Sequence, residues 1–474
     1  MNDDKFNKEL TSHETSIEGL VVFDLPVHGD SRGWFKENWQ REKMQAVGLP
    51  DFGPVQNNVS FNAERGVTRG LHAEPWDKFI SIGNGSVFGA WVDIRENSPT
   101  YGQSFSIELD PSKAIYVPRG VANGFQALES NTVYMYLVND HWSADAQYSN
   151  VSIFDDSLGI SWPIPLAEAI VSDKDKSHPK LSDATPIKPK KVLITGAYGQ
   201  LGQEFQKLFP DADCVDRDTL DISSDDVFTA RKWSDYGLIL NAAAYTAVDL
   251  AETPEGRIDS WKANATAVAN LSKIASDNKI TLVHISTDYV FDGTMSPHVE
   301  DEPFSPLGVY GQSKAAGDIA AAQAPQHYIL RTSWVIGKGN NFVRTMKSLA
   351  DRDVKPSVVS DQIGRLTFTE DLAAAAKHLI DTKSSFGTYN VSNDGESASW
   401  AEVAKIAYQH SGKPADDVAP VTTEEYYSGQ DGIAPRPLQS TLDLDKIKAT
   451  GFTPRDWRKA LDNYLIQLNQ EENL

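Results

Sequence analysis

The sequence has little cysteine, a deficit of positive charge and no long apolar run, and each shortage excludes a class of protein. Cys214 is the only cysteine, so an intrachain disulfide is impossible and a reducing compartment is expected. Lys and Arg number 44 against 66 Asp and Glu, which gives a formal net charge of −22. Because nucleic acids and anionic membranes attract basic surfaces, we expect neither as a partner.

Two further absences concern targeting. No apolar stretch approaches the roughly 18 residues that identify a transmembrane helix. Residues 1–14 are acidic and polar and lack the basic and apolar regions of a secretory signal peptide. The sequence therefore predicts a cytoplasmic protein, and its 40% hydrophobic residues are enough for large buried cores.

The rhythm of the chain changes part-way along. Short β-rich runs such as 87–93 and 132–138 first alternate with turn signals, which indicates an antiparallel sandwich or barrel. Buried strands then alternate with helical segments, as in βαβ units with a parallel sheet. We predict a β domain over residues 1–183, a polar, proline-containing linker over 184–190 and an α/β domain over 191–474.

The α/β domain begins with a glycine pattern typical of dinucleotide binding. Gly196, Gly199 and Gly202 follow a predicted strand and enter a helix predicted over 200–208. Glycine lets the backbone approach a pyrophosphate, and the free N–H groups of the helix N-terminus bind it.

The choice between cofactors depends on Asp216 and Arg217, which follow the next predicted strand. A carboxylate at this point binds ribose hydroxyls, whereas an arginine accepts the 2′-phosphate of NADP. Both residue types are present, so NADPH and NADH stay open, and an ordinary solvated loop is the structural alternative.

A second pattern supplies proton transfer. Tyr310 and Lys314 are four residues apart and share a helix face, where an ammonium lowers the pKa of a neighbouring phenol. Ser286 and Thr287 end a predicted parallel strand, at the edge where such sheets bind ligands. A Tyr–Lys pair of this spacing is usually structural, but with Thr287 and the glycine loop it predicts hydride transfer from a nicotinamide cofactor.

Several blocks, among them GAYGQLG, NAAAYTAVDLAE and VYGQSK, resemble dTDP-4-dehydrorhamnose reductase across residues 190–470. This family consists of extended short-chain dehydrogenases with a Rossmann-type sheet and a small substrate lobe. The resemblance implies reduction of the C4 ketone of a dTDP-4-keto-6-deoxy sugar by NADPH, with NADH also possible and no metal expected. It makes Thr287, Tyr310 and Lys314 the catalytic residues, with Tyr310 protonating the C4 oxygen.

The same resemblance implies binding roles for further residues. Those at the cofactor, besides residues named above, are Tyr198, Gln200, Leu201, Asp221, Ile222, Ala242, Ala243, Ala244 and Tyr245. Those at the sugar nucleotide are Asp249, Asp288, Tyr289, Trp334, Asn340 and Arg436, with Arg331 as a further contact. Arg365 and Leu366 depart from the family, which usually has a proline before the threonine of this substrate loop.

The β domain carries residues suited to keto-sugar chemistry. His72 is a candidate general base because the pKa of imidazole lies near neutrality, and Lys78 can stabilise an enolate. A lone histidine at a strand end is more often structural. No spaced set of metal ligands is apparent, so we expect no metal.

Blocks such as DSRGWFKE, GVTRGLH and IYVPRGVANGF resemble dTDP-4-dehydrorhamnose 3,5-epimerase, a metal-free cupin-like jelly roll, over residues 16–183. The resemblance implies His72 as base, Asp175 as its carboxylate partner, Lys78 as the enolate stabiliser and a homodimer formed through the β domain. The positions matched to the sugar nucleotide are Arg32, Glu37, Gln56, Asn58, Arg69, Arg119, Asn123 and Trp142.

Two of these positions depart from the epimerase family. Asn123 replaces a histidine, and Trp142 falls on the family's catalytic tyrosine, although an indole does not deliver a proton as a phenol does. The acid on the opposite face of the sugar stays open between several groups, namely Tyr134, Tyr136, His141, Tyr148 and water.

The two resemblances together predict a bifunctional enzyme of dTDP-L-rhamnose synthesis, with epimerisation at C3 and C5 followed by reduction at C4. One alternative is a reductase whose first half epimerises a single carbon or only binds and dimerises. Another is a non-enzymatic regulatory subunit that binds NADP, although the complete Thr287, Tyr310 and Lys314 set argues against it.

Overall fold

The computed structural model describes residues 8–144 and 146–471 of the chain. They form two compact units, Met1–Pro189 and Lys190–Leu474. Among the described residues, no helix combines the length and the apolar composition that crossing a bilayer requires.

The first unit is built from two antiparallel sheets that share one core. One sheet has the strand order β1-β2-β10-β7-β12-β5, and the other has the order β13-β6-β11-β8-β9, with the short strand β14 added parallel to β6. Their bounds are β1 (Thr11–Glu14), β2 (Val21–Asp24), β5 (Gln56–Asn62), β6 (Val67–Ala73), β7 (Lys78–Asn84), β8 (Val87–Asp93), β9 (Ser104–Leu109), β10 (Lys113–Val117), β11 (Val121–Ala127), β12 (Thr132–Val138), β13 (Ser149–Asn150) and β14 (Ile170–Val171).

Side chains from both sheets fill the space between them. Ile80 and Ile115 from the first sheet pack with Trp91 and Phe125 from the second, and all four are almost completely buried. A hairpin and two short helices complete the unit: β3 (Val27–Asp30), β4 (Gly33–Lys36), α1 (Arg41–Ala46) and α2 (Asp173–Lys176). The architecture is the predicted cupin-like jelly roll.

The second unit has a parallel six-stranded sheet of order β16-β15-β17-β18-β19-β24. These strands are β15 (Lys191–Thr195), β16 (Asp213–Val215), β17 (Tyr236–Asn241), β18 (Thr281–Thr287), β19 (His327–Thr332) and β24 (Gly387–Asn390). The helices are α3 (Gln200–Leu208), α4 (Pro254–Trp261), α5 (Ala267–Asn278), α6 (Val309–Ala321), α7 (Phe342–Asp351), α8 (Thr369–Asp381), α9 (Trp400–His410), α10 (Thr423–Tyr426), α11 (Asp445–Ala449) and α12 (Trp457–Glu471). The predicted Rossmann-type fold is confirmed.

Three two-stranded pairs lie outside the main sheet and belong to the small lobe. They are β20 (Val335–Ile336) with β23 (Thr367–Phe368), β21 (Ser357–Val359) with β26 (Ala419–Val421), and β22 (Ile363–Gly364) with β25 (Ala398–Ser399). The lobe has a separate core in which Trp457 and Tyr408 are buried.

Local sequence signals explain where several elements begin. Helix α3 spans residues 200–208, as its apolar pattern predicts. Ser399 and Glu402 form the predicted capping box at the start of α9, each side chain accepting from the other's backbone N–H. In the segment predicted as a linker, Ile187 is buried and its N–H donates to the carbonyl of Ile94 at 2.8 Å.

Candidate active sites

A cavity of about 340 Å³ lies at the carboxyl ends of β15, β16 and β17. This is the edge at which open parallel sheets bind nucleotides. The predicted residues in its lining are Gly196, Gly199, Asp216, Arg217, Asp221, Ile222, Ala242, Ala243, Ala244 and Tyr245. Ser223, Asp259 and Lys262 also line it and escaped prediction, because polar residues of ordinary helices and turns carry no local signal.

The glycine loop has the close backbone packing that a dinucleotide cradle needs. Gly196 has φ +61°, and a Cβ added there would lie 2.7 Å from the backbone nitrogen of Ala243. A Cβ on Gly202 would lie 2.2 Å from the carbonyl oxygen of Gly196. Gly199 precedes α3 without a side-chain cap, so the first N–H groups of the helix stay available to a pyrophosphate. These residues therefore fit a dinucleotide.

The other predicted loop residues surround this cradle without lining the cavity. Leu201 is buried below it, whereas Tyr198 is 60% exposed. Gln200 donates from Nε2 to the backbone carbonyl of Asn340 at 3.2 Å, which ties the start of α3 to an exposed loop of the lobe. Trp334 stacks on Trp400 with ring centroids 3.8 Å apart.

Asp216 and Arg217 differ in how free they are to meet a ligand. The Asp216 carboxylate accepts from the backbone N–H groups of Asp218 and Thr219 at 3.1 and 3.0 Å, and from the Thr219 hydroxyl. These hydrogen bonds, led by that of the Thr219 side chain, lower the pKa of Asp216. The Arg217 side chain is exposed on the cavity wall, so the cation is the group turned toward a ligand.

The predicted catalytic residues come together at the end of β18 and on one face of α6. The hydroxyl of Thr287 lies close enough to the phenol of Tyr310 to lower its pKa. The Thr287 hydroxyl also donates to Oδ1 of Asp288 at 3.0 Å. Lys314 is buried and its ammonium donates to the carbonyl oxygen of Ile285 at 2.6 Å.

The electrostatics of this site differ from the prediction. Burial raises the pKa of Tyr310 above its ordinary value, and the hydrogen bond with Thr287 offsets only part of the rise. Burial also lowers the pKa of Lys314 to about 8, against the opposing charge of Asp318. The expected lowering of the phenol pKa by the lysine is therefore not seen, because desolvation dominates both groups.

Polar side chains predicted to meet the sugar lie beside the Tyr310 phenol. The ring of Tyr289 meets that of Tyr310 edge to face, with centroids 5.4 Å apart. Arg436 pairs with Asp249 at 2.8 Å, and the two side chains remain 12% and 43% exposed. Asp288 is buried below them, and burial raises its pKa to about 6.

Two arginines predicted near the substrate have other roles. Arg331 was expected to contact sugar or diphosphate, but it is 4% exposed and its Nε donates to Asp318 at 3.0 Å. Arg365, at the point of departure from the family, is 7% exposed and pairs with Asp394 at 3.3 Å. Both guanidinium groups are buried and bonded to partners inside the protein, which explains why neither reaches a cavity.

Asn264 is a structural support that the sequence reasoning missed. It accepts from the backbone N–H of Tyr245 at 2.9 Å and donates to the Tyr245 carbonyl and to Ser313, each at 3.0 Å. It lies in a π-helical turn, Lys262–Thr266, between α4 and α5. Asn264 therefore fixes the cofactor loop after β17 to the helix that carries Tyr310.

A second cavity of about 500 Å³ opens in the first unit. Its lining joins residues of both sheets with the loop after β12 and with α2. The lining residues are Gln56, Asn58, His72, Ala73, Glu74, Trp76, Tyr136, Val138, Asp140, Trp142, Tyr148, Asn150 and Lys174. The predicted base His72 is therefore accessible, with 34% of its side chain exposed.

His72 and Asp175 form the predicted pair. Nε2 of His72 lies 3.1 Å from Oδ1 of Asp175, and the backbone N–H of Gly70 donates to Oδ2 at 3.2 Å. Burial alone would raise the pKa of Asp175, but the hydrogen bonds from His72 and Gly70 hold it below its ordinary value. An ionised carboxylate thus orients the imidazole and stabilises its protonated form.

Lys78 is held by the residue that replaces a family histidine. Its ammonium donates to Oδ1 of Asn123 at 2.6 Å and forms an ion pair with Glu74. The same ammonium lies 5.5 Å from the ring centroid of Tyr136. Asn123 can accept from a cation without carrying charge, so this substitution preserves the position of Lys78.

Other predicted substrate residues lie outside this lining. Arg32 pairs with Asp30 and has an 88% exposed side chain, while Glu37 pairs with Lys43 at 2.9 Å. The remaining two arginines also bond elsewhere. Arg69 donates to Asn62 at 3.2 Å, and Arg119 donates to the carbonyl of Lys188 at 2.6 Å. Of the positions matched to the sugar nucleotide of the epimerase, only Gln56, Asn58 and Trp142 line the cavity.

The structure separates the candidate proton donors. Tyr134 is 3% exposed and stacks on Phe125, which removes it from the cavity. Tyr136 and Tyr148 line the cavity. His141 lies 3.2 Å from Oε1 of Gln56, at the cavity mouth.

Comparison with protein families assigns both units. Residues 190–470 match the RmlD substrate binding domain, and residues 14–183 match dTDP-4-dehydrorhamnose 3,5-epimerase. The second unit is 38% identical over 294 residues to a dTDP-4-dehydrorhamnose reductase of Aggregatibacter actinomycetemcomitans, covering 58% of this chain and 97% of that protein. A reductase structure from Bacillus anthracis in complex with NADP is 34% identical, with a TM-score of 0.53 over 59% of this chain and 99% of that one.

The first unit has a similarly complete relative. It is 52% identical over 198 residues to an RmlC homologue of Streptococcus pyogenes serotype M6, covering 40% of this chain and 99% of that protein. Each unit thus spans nearly the whole length of a separate enzyme. The chain belongs to the dTDP-4-dehydrorhamnose reductase family through its second unit and to the dTDP-4-dehydrorhamnose 3,5-epimerase family through its first.

Proposed function

We propose that the residues described above carry out two consecutive steps on a dTDP-4-keto-6-deoxy sugar: epimerisation at C3 and C5, then reduction at C4 to dTDP-L-rhamnose. The observation that carries the proposal is the presence of both sites in one chain. One holds Thr287, Tyr310 and Lys314 beside a dinucleotide cradle, and the other holds His72 on Asp175 beside a buried Lys78.

In the reductase site, the nicotinamide cofactor supplies the hydride when bound. Tyr310 then gives its phenolic proton to the C4 oxygen, while Thr287 holds the same oxygen by its hydroxyl. Lys314 stabilises the phenolate that remains, and the Ile285 carbonyl holds its ammonium in place. The raised pKa of Tyr310 ensures that the phenol carries its proton before the step.

In the epimerase site, His72 removes the proton on the carbon next to the ketone. Asp175 stabilises the imidazolium that results, and the ammonium of Lys78 stabilises negative charge on the enolate oxygen. A proton returned to the opposite face inverts the carbon, and Tyr136 and Tyr148 are the phenols of the cavity lining that can supply it.

The cavity wall favours NADPH over NADH. One carboxylate oxygen of Asp216, Oδ1, accepts hydrogen bonds within its own turn, whereas Arg217 is exposed on the cavity wall where we place the adenosine ribose. Lys262 lines the same cavity and lies 3.5 Å from Asp221. Two cations near one ribose suit a 2′-phosphate.

We also propose a homodimer formed through the first unit. Strand β5 ends its sheet, and Val59 and Phe61 on it are 63% and 59% exposed. An exposed apolar edge strand can pair with a strand of another chain. Pairing also accounts for Arg32 and Glu37, which lie outside the cavity of their own chain and are then placed to reach that of a second copy.

Replacing Tyr310 by phenylalanine is expected to lower kcat of NADPH-dependent ketone reduction by about 10²- to 10⁴-fold, because the proton donor is lost. The measurement is loss of NADPH absorbance with the epimerised dTDP-4-keto sugar. Tyr328→Phe is the control, since it removes a buried phenol that bonds only the Leu379 and Ser384 carbonyls. Equal activity of Tyr310→Phe and wild type would contradict the role of the phenol.

Replacing His72 by alanine is expected to abolish hydrogen exchange at C3 and C5 of dTDP-4-keto-6-deoxy-glucose in D₂O without NADPH, because no base remains. Deuterium is read by NMR, with His28→Ala as the control because His28 is exposed on β3. Exchange at one carbon in the wild type would restrict the unit to single-carbon epimerisation. No wild-type exchange would make it a binding module.

Replacing Arg217 by alanine is expected to raise KM for NADPH by about 10-fold or more while leaving KM for NADH within about twofold, because only the 2′-phosphate loses its partner. Steady-state kinetics with each cofactor measures this, and Arg458→Ala is the control on an exposed arginine of α12. Equal effects on both cofactors would refute the assignment.

Replacing Phe61 by aspartate is expected to convert a dimer into a monomer, because charge on the apolar edge opposes pairing. Sedimentation velocity measures mass, and Phe386→Asp is the control on an exposed phenylalanine of the second unit. A wild-type monomer, or a Phe61→Asp dimer, would exclude this interface.

A further inference from the structure

His178 brings a second imidazole to the His72–Asp175 pair. Its Nε2 lies 3.7 Å from Oδ1 of Asp175, the oxygen that His72 meets at 3.1 Å. The two imidazole rings meet edge to face with centroids 5.3 Å apart. One ligand atom from each of the three residues lies within 4.8 Å of the other two. Nothing in the proposed proton transfer uses His178.

The His178 side chain is buried without the contacts that burial normally requires. Only 5% of it is exposed, and in the described part of the chain neither ring nitrogen makes a hydrogen bond of good geometry, its polar neighbours being Asp175 and the Gly70 backbone. Buried polar groups in this condition are costly to the fold and call for a ligand or a functional explanation.

Two imidazoles and one carboxylate form a donor set that suits divalent transition metals. Zinc bonds of about 2.0–2.2 Å place ligand atoms about 3.3 Å apart around a tetrahedral ion. The two nitrogen-to-oxygen distances here, 3.1 and 3.7 Å, bracket that spacing, and the three ligand atoms lie within 4.8 Å of one another. Of the three residues, His72 also lines the cavity of the first unit.

Asp175 has outer contacts of the kind that metal ligands usually have. Asp175 is held at Oδ2 by the Gly70 N–H at 3.2 Å, and its own N–H donates to Ser172 at 3.1 Å. The nearby charges oppose each other: Lys174 repels a cation, and the Asp175 carboxylate attracts it.

We infer that His72, Asp175 and His178 form a binding site for a divalent transition-metal ion such as zinc, and that the ion switches off the general base. A metal bound at Nε2 of His72 leaves the ring proton on Nδ1, so the imidazole no longer has a free lone pair to take the substrate proton. The site itself is independent of the proposed epimerase role, whereas the inhibition rests on it.

The experiment titrates the full chain with cobalt(II), which replaces zinc and gives visible absorption in a protein site. We expect one site per chain whose absorption disappears on addition of zinc. His178→Gln is expected to weaken cobalt affinity about 10- to 100-fold. His410→Gln is the matched control, since His410 also pairs with an aspartate, Asp462 at 2.9 Å, but on the surface. Affinity is also expected to fall as pH falls, because protons compete for the imidazoles.

A wild-type chain without a cobalt site would overturn the inference, as would unchanged affinity in His178→Gln. Circular dichroism checks that the variant folds, and His178→Phe, which keeps the ring, replaces it if it does not. Zinc is then added to the D₂O exchange assay and is expected to stop exchange in the wild type but not in the variant. Exchange that continues with zinc bound would refute the inhibition. Absent exchange in the metal-free wild type would refute the epimerase proposal, while cobalt binding still decides the site.

Discussion

The packing of α6 against β18 is the constraint on which the reductase site depends. It buries the Lys314 ammonium against a strand carbonyl and places it in the field of Asp318, which is itself paired with Arg331 on β19. A buried ammonium without such partners would lose its proton. The Asp318–Arg331 pair therefore supports the site, because it helps to keep the Lys314 ammonium charged where the phenolate will form. This explains why Arg331 is buried although its residue type suggested a diphosphate contact.

The epimerase site solves the same problem with different elements. His72 on β6 and Asp175 on α2 are about a hundred residues apart, and the Gly70 N–H completes the support of the carboxylate. Lys78 relies on Asn123, a neutral acceptor, and on Glu74 for compensating charge. Both sites thus place a cation-forming group next to an acid whose geometry the backbone fixes. In each site, burial makes it costly to hold a charge, and hydrogen bonds determine which groups stay charged.

The two units differ in how much of them the sequence reveals. In the second unit the glycine loop, the end of β18 and the first turns of α6 are local segments, so spacing alone located Gly196, Thr287 and Tyr310. Asn264 escaped because its role depends on contacts with two distant segments. In the first unit, base and carboxylate were located by family resemblance rather than spacing. His178 gave no signal of its own, because its approach to His72 follows only from the way α2 returns to the sheet.

The distribution of positive charge shows how an acidic chain handles anionic ligands. Of the arginines predicted to bind ligands, Arg217 lines a described cavity, whereas Arg331 is buried. The reductase unit instead presents the free N–H groups at the start of α3, which bind a pyrophosphate without adding net charge. In the epimerase unit, Lys174 is the exposed cation of the lining, and Arg32 projects from a hairpin elsewhere on the surface. A jelly roll has no parallel-strand edge with helix N-termini, so its diphosphate site must draw on side chains. Completion of that site by a second copy is consistent with this requirement, because the needed guanidinium is present, exposed and absent from the cavity of its own chain.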